Sequence, residues 1–187
     1  MRIGKLCCLL LCCMYFVGCT GQKTQPGQEA LDFRTDLMEH GGCCFTANIA
    51  ADFGERVYMF TLACETNAGE TRLKVIEPEM IAGIAATVSS DGIKLTFDDA
   101  ELDFGKLANG YVSPVTVPWL LAQCWMGEYI AWSGADGELD RVTYLRGYDE
   151  AELTVDTWFS DGVPQHAEIL YDDVRCLTVE ILDFKMN

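Results

Sequence analysis

Nucleophilic catalysis needs a general base within reach of a serine, cysteine or threonine, and this chain has only two histidines to supply one. His40 lies near an expected helix end, where an imidazolium suits the helix dipole. His166 lies near an expected strand start, close to Pro164. Neither neighbours a nucleophile in the sequence. Acidic pairs recur at Asp98-Asp99, Asp149-Glu150 and Asp172-Asp173. Each falls at a predicted turn, where aspartate is favoured because its side chain bonds nearby backbone. The segment Asp136-Gly-Glu-Leu-Asp140 has carboxylates that calcium could use, but the spacing lacks a full ligand loop. There is no glycine-rich phosphate cradle, no Cys-x-x-Cys pair and no His-x-x-x-His site in the sequence. The expectation is a protein with no catalytic residue, cofactor or metal: not an enzyme.

Cysteine carries the chemistry that remains. Of ten cysteines, Cys7, Cys8, Cys12 and Cys13 sit inside an apolar run from Leu6 to Val17. Arg2 and Lys5 precede that run, and small Gly18 follows it. A charged start, a short apolar stretch and a small-residue exit are the parts of a secretory signal. The run is too short to cross a hydrocarbon layer, which takes about 20 residues. Phe16-Val17-Gly18-Cys19 resembles the lipobox of bacterial lipoproteins, with Phe16 where leucine is usual. That resemblance implies removal of residues 1–18, a diacylglyceryl thioether on Cys19 and often an acyl group such as palmitate on its new amine. Ordinary cleavage leaving Cys19 free is the alternative. Residues 19–28 have little to bury and read as a lipidated tether, about 15–18 Å in r.m.s. span for nine flexible residues. The expected address is the extracytoplasmic face of the cell membrane, held by lipid on Cys19.

The folded part, residues 29–187, is long enough for one domain with a real core. Removing Arg2 and Lys5 from the 13 basic residues leaves 11 against 29 acidic ones, a formal charge near −18. Such a chain repels nucleic acid and anionic headgroups.

The elements follow from periodicity. Residues 29–40, with Leu31, Leu37 and Met38 near helical spacing, predict an amphipathic helix stopped by Gly41-Gly42. Residues 43–52 and 55–64 predict a hairpin about Phe53-Gly54. A two-residue turn there pairs Ile49 with Tyr58, Ala47 with Phe60, Phe45 with Leu62 and Cys43 with Cys64. Directly opposed cysteines can form a cross-strand disulfide; Cys44 with Cys64 is the alternative if the turn slips by one residue. Five cysteines in the folded part, Cys43, Cys44, Cys64, Cys124 and Cys176, are an odd set, so at least one stays reduced or pairs between molecules. Further strands are expected at 71–76, 84–89, 93–97, 101–104, 140–148, 151–159, 165–172 and 176–184. That makes about ten, in up-and-down order.

Residues 114–126 break the alternation. Pro118 fits the first turn of a helix, and Trp119, Leu120, Leu121, Cys124, Trp125 and Met126 cover most of its sides. A helix apolar all round must be buried or must cover something apolar. Either these side chains line a ligand pocket with Phe45, Tyr58 and Phe60 from the sheet, or they fill the core.

The chain is similar to small clostridial-type lipoproteins related to the Lol-type outer-membrane lipoprotein carriers and to mycobacterial lipid-binding lipoproteins. The likeness rests on the packing residues of segment 43–64, Pro78-Glu-Met-Ile-Ala-Gly-Ile84, Ser113-Pro114 and Trp158 with Gly162-Val-Pro164. It implies an α+β, mainly antiparallel β fold: a strongly curved half-barrel sheet with an N-terminal helix and an apolar helical lid. It also implies a cavity that can take an acyl chain. Soluble Lol-type carriers have no lipid anchor, so local holding is expected here rather than shuttling. The functional expectation is a membrane-anchored envelope lipoprotein binding an apolar ligand such as lipid without chemistry. The alternative is an envelope protein-interaction or sensor module with a filled core. Cys19→Ala should move the protein from the membrane pellet to the soluble fraction on cell fractionation, and retention in the pellet would refute the lipobox assignment.

Overall fold

The first and last strands of the chain lie side by side at the centre of one sheet. The computed structural model describes residues 26–67, 69–96, 112–146 and 153–187. Within these, helix α1 (Pro26–His40) leads into strands β1 (Gly42–Asp52), β2 (Val57–Asn67), β3 (Glu70–Glu77), β4 (Ala85–Ser89) and β5 (Gly92–Thr96). Helix α2 (Val117–Met126) follows, then β6 (Tyr129–Asp136), β7 (Leu139–Arg146), β8 (Leu153–Ser160), β9 (Val163–Tyr171) and β10 (Val174–Met186). The sheet runs β5-β4-β3-β2-β1-β10-β9-β8-β7-β6, antiparallel throughout and unclosed at both edges. It is the α+β, mainly antiparallel fold that the family resemblance implies, with the up-and-down strand order that alternation predicts, built as two meanders that meet where β1 pairs with β10. Cleavage and lipidation at Cys19 lie outside the described residues, as does the strand expected at 101–104.

Strand β6 is the element absent from the sequence reading. Its residues, Tyr-Ile-Ala-Trp-Ser-Gly-Ala-Asp, do not alternate cleanly, and a bulge between Ile130 and Trp132 explains why. A second bulge shapes the core. In β10, Ile181 faces inward, and strict alternation would send Asp183 in after it. Asp183 instead takes a left-handed conformation at φ 53, the β1–β10 register shifts, and Phe184 turns inward.

The hairpin turns show local chemistry overriding simple counting. β1 and β2 pair Asp52 with Val57, so the turn has four residues, 53–56, rather than two. The Asp52 side chain accepts the Gly54 N–H at 2.7 Å, and Phe53 N–H donates to the Arg56 carbonyl at 3.0 Å. The register therefore moves by two. Cys43 faces Thr66, Phe45 faces Cys64, and Ile49 faces Phe60. A shift of two keeps every side chain on its expected face, because strands repeat with period two. It does separate Cys43 from Cys64, which are not opposed and are both free thiols; the expected disulfide is absent. Ser160↔Val163 and Tyr171↔Val174 close true two-residue turns at Asp161-Gly162 and Asp172-Asp173. All four of those turn residues have positive φ, the backbone that a type I′ hairpin needs.

Helix α1 begins at Pro26, three residues earlier than expected, so the end of the presumed tether is helical. Proline suits a first helical position because its missing N–H would be unpaired there anyway. Gly27 lies so close to β6 that a Cβ would sit 2.8 Å from Ser133 Oγ. At the far end Gly41, at φ 76, stops the helix. Gly42 already belongs to β1, where a Cβ would collide with the Thr66 carbonyl oxygen.

Both helices pack on one face of the sheet. Phe33 of α1 meets Trp125 of α2 at 5.9 Å, Phe159 at 5.1 Å and Phe184 at 5.8 Å between ring centroids. Arg34 then fastens one helix to the other. Its guanidinium donates to the carbonyls of Trp125 (2.9 Å), Cys124 (3.2 Å) and Glu128 (2.8 Å), at the end of α2, whose last carbonyls have no partners within the helix. Arg34→Met, which keeps the stem but removes the donors, should lower the unfolding free energy by roughly 2 kcal/mol, measured by urea denaturation with unchanged m-value.

Candidate functional site

A cavity of about 430 Å³ opens where the start of α2 meets the β4–β5 hairpin and the adjoining ends of β7 and β8. Its apolar wall comes from Val88, Ile93, Trp119, Leu120 and Leu153. Thr116, Ser89, Ser90 and the Arg146 side chain supply the polar part. Local sequence sets this end of the helix. Thr116 Oγ accepts the Ser113 N–H at 3.0 Å and donates to the Ser113 carbonyl at 2.9 Å, forming a tight turn. Pro118 occupies the first turn, and Leu120 N–H closes on the Thr116 carbonyl at 3.0 Å. Trp119 and Leu120 are thereby delivered to the cavity. Its volume falls within the roughly 300–1,000 Å³ usual for small-molecule sites.

Arg146 lies over the Trp119 ring, 4.6 Å from the centroid. Its Nε is 3.7 Å from Glu128 Oε1, a loose ion pair. Its Nη1 and the indole Nε1 of Trp119 are both buried and lack a hydrogen-bond partner among the described residues. A buried donor left unpaired costs on the order of 1–3 kcal/mol, more when charged. Two in contact are a local deficit that well-packed interiors avoid.

The structure divides the eight pocket candidates read from the sequence. Trp119 and Leu120 line the cavity. Leu121 and Trp125 are fully buried, and Trp125 Nε1 donates to Thr157 Oγ1 at 3.1 Å. Phe45 packs on Trp125 at 5.7 Å, Phe60 is in the core, and Met126 packs against it. Tyr58 is 44 % exposed and rests edge-on against Phe53. It stays near the sheet end because the longer turn places it opposite Ala51. Sequence reasoning missed Arg146. A signal existed: Val142 and Tyr144 point inward on β7, and alternation puts Arg146 on the same face.

The other chemistry-bearing residues are placed as follows. Cys43, Cys44, Cys64, Cys124 and Cys176 are all free thiols. Burial pushes the Cys43 thiol up to about 11, opposed by its contact with Thr66 Oγ1 at 3.3 Å. Burial likewise raises Cys64, Cys124 and Cys176. These four stay protonated and poorly nucleophilic near neutral pH. Cys44 is half-buried, its thiol 3.1 Å from Asn187 Oδ1. His40 Nδ1 is 2.8 Å from the Asp36 carbonyl, and since a carbonyl only accepts, that nitrogen carries the proton. His166 packs on the Trp158 ring with Nε2 3.6 Å from Glu168. Asp136 accepts Trp158 Nε1 at 2.8 Å, at the mouth of the β6–β7 hairpin. Asp140 instead faces Glu29, whose carboxyl is raised by a hydrogen bond with Asp140, then by burial and the neighbouring acids. Among the described residues no three His, Cys, Asp or Glu side chains are grouped to hold a metal. Asp98-Asp99 and Asp149-Glu150 lie outside those residues.

On the opposite face of the sheet, Arg141 is sandwiched between Trp132 (5.5 Å) and Trp158 (5.3 Å). It pairs with Asp156 at 2.6 Å, which also accepts Thr143 Oγ1 at 2.6 Å. The ladder lets Asp156 be only 2 % exposed while fully paired. Trp132 lies flat because residue 134 is glycine; a Cβ there would come within 2.6 Å of its ring.

No family model matches the chain, and no curated protein matches it. Among solved structures it is similar to an uncharacterized conserved protein from Thermus thermophilus, at 12% identity and TM-score 0.45 over 87% of this chain and 88% of that one. A LolA superfamily protein from Nitrosomonas europaea is similar at 9% identity and TM-score 0.45, over 88% and 94% of the two chains. A putative outer membrane lipoprotein-sorting protein domain from Vibrio parahaemolyticus is similar at 7% identity and TM-score 0.44, over 86% and 91%. The functional reading rests instead on the site itself.

Thiol titration checks the cysteine assignment. The mature domain without Cys19 should show five reactive thiols in denaturant, and only Cys44 should react quickly in the native state. Loss of two thiols from the denatured count would restore a disulfide.

Proposed function

We propose that this protein is a cell-envelope lipoprotein, anchored through Cys19, whose half-barrel holds an apolar ligand such as a lipid without catalysing a reaction. The observation that carries the proposal is the cavity of about 430 Å³ beside Trp119, in a domain whose interior is otherwise closely filled by aromatic side chains. The cluster of Phe33, Phe45, Trp125, Phe159 and Phe184 is what a filled half-barrel of this chain looks like. The cavity, by contrast, is apolar on most sides and is entered from the surface. Holding fits the described chemistry: four thiols kept protonated, and two histidines engaged in surface contacts. The sensor or protein-partner alternative would draw on the Trp132–Arg141–Trp158 face, but the Arg141 charge there is already matched by Asp156.

Binding of a neutral fluorescent probe, N-phenyl-1-naphthylamine, tests the cavity. Its fluorescence should rise on adding the protein, and Ile93→Trp, which fills the space from a half-exposed wall position, should weaken binding at least about ten-fold with an unchanged far-UV spectrum. A protein that neither binds the probe nor yields lipid on solvent extraction would refute the proposal.

A further inference from the structure

We propose that the cavity selects amphiphiles with an anionic oxygen headgroup, a carboxylate or a phosphate, and that Arg146 and Trp119 form the headgroup subsite. The inference rests on the cavity reading above and names the ligand's polar end. Three features of the same two side chains carry it. Arg146 Nη1 and Trp119 Nε1 are buried and lack partners among the described residues, and both side chains belong to the cavity wall. They touch each other, with the guanidinium 4.6 Å from the indole centroid. The rest of the wall is mainly apolar, formed by Val88, Ile93, Leu120 and Leu153. Two adjacent donors with no acceptor beside an apolar space are the complement of a chain ending in an acceptor.

The headgroup's charge follows from the donors. Guanidinium offers only N–H groups, and indole Nε1 offers only one. A hydroxyl or ester oxygen could accept from either, but an anionic oxygen forms shorter and roughly twice as strong bonds. Glu128 competes for the same guanidinium, yet only through Nε and at 3.7 Å. That leaves the Nη1 side free for a second partner. The ring beneath it attracts the guanidinium through cation–π contact and holds the fork in one orientation. Trp119 therefore positions Arg146 as well as donating its own proton.

The formal charge, −16 for the full sequence and near −18 without Arg2 and Lys5, argues against an anionic ligand at long range. Fields from exposed carboxylates are screened over about 8–10 Å at ordinary salt. A partly buried pair in contact is screened far less, so the local cation decides the bound state, whereas the global charge slows encounter. Binding should therefore tighten with added salt through faster association, the reverse of what a basic surface would give.

Matched photoreactive probes test the proposal on the full, membrane-anchored chain. Three probes with the same C16 diazirine chain would carry a carboxylate, a phosphate monoester or a hydroxyl head, and labelled peptides would be mapped by mass spectrometry. At least one anionic probe should label the cavity wall at about one-tenth the concentration the alcohol needs. Arg146→Gln should abolish that preference, weakening the anionic probes far more than the alcohol, and Arg146→Lys should retain part of it. Trp119→Phe, which keeps an aromatic face but not the N–H, should cost the anionic probes about three-fold and the alcohol less. Because the ratio between probes is compared from one variant to the next in the same membrane, differences in partition cancel. If the alcohol labels the wall and the anionic preference survives Arg146→Gln, the headgroup proposal is wrong and the cavity reading stands. If no probe labels the wall, both fail. Preference for one anionic probe over the other assigns the head as carboxylate or phosphate.

Discussion

Because β1 and β10 pair from Cys43 against Met186 to Ala51 against Leu177, each meander completes the other's central edge. Neither half presents a free strand in the middle of the sheet, and the two true edges fall at β5 and β6. The arrangement sets one continuous apolar face, wide enough for two helices. α1, directly before β1, packs across β6, β7 and β1, with Phe33 against Phe159 and Phe184. α2 links the two outer strands and is held down by Arg34. The cavity lies where α2 runs out of sheet to cover.

Much of the fold can be read along the chain, because alternation reports faces even when it misjudges pairing. The β1–β2 register illustrates this. A count from Phe53-Gly54 is off by two, since the Asp52 carboxylate draws the Gly54 N–H into a longer turn. Yet Phe45, Ala47 and Ile49 still point inward. Cys43 and Cys64 share a face as expected but sit across from Thr66 and Phe45, so a pairing argument that depended on exact opposition failed. Strand β6 escaped because a bulge and Gly134 hide its period. The long-range pairing of β1 with β10 has no local signal at all; only the relative positions of all the strands decide it.

The site was legible in part for a similar reason. Trp119 and Leu120 stand out in an apolar helix, but nothing local distinguishes them from Leu121 and Trp125, which are enclosed away from the cavity. The distinction is set by which part of α2 lies over the centre of the sheet and which lies over its rim. Arg146 is the converse case: an ordinary strand-end arginine in sequence and, in the structure, an inward guanidinium whose Nη1 has no hydrogen-bond partner among the described residues. Buried donors without acceptors are invisible until the acceptors around them are known.

The central ladder also constrains how the chain can fold. β1 is complete early in the sequence, but its second partner is the last strand, so the contact that joins the meanders spans almost the whole domain. Such topologies form slowly, because distant segments must be brought together before their contacts are gained. Until residues 174–186 arrive, the β1 edge of the first meander stays open, the kind of surface that invites pairing with another chain. That edge alternates apolar side chains with Thr46 and Asn48, and the surrounding chain is strongly acidic, so nascent copies repel one another. A domain that cannot close before its final strand is also one that remains threadable until then.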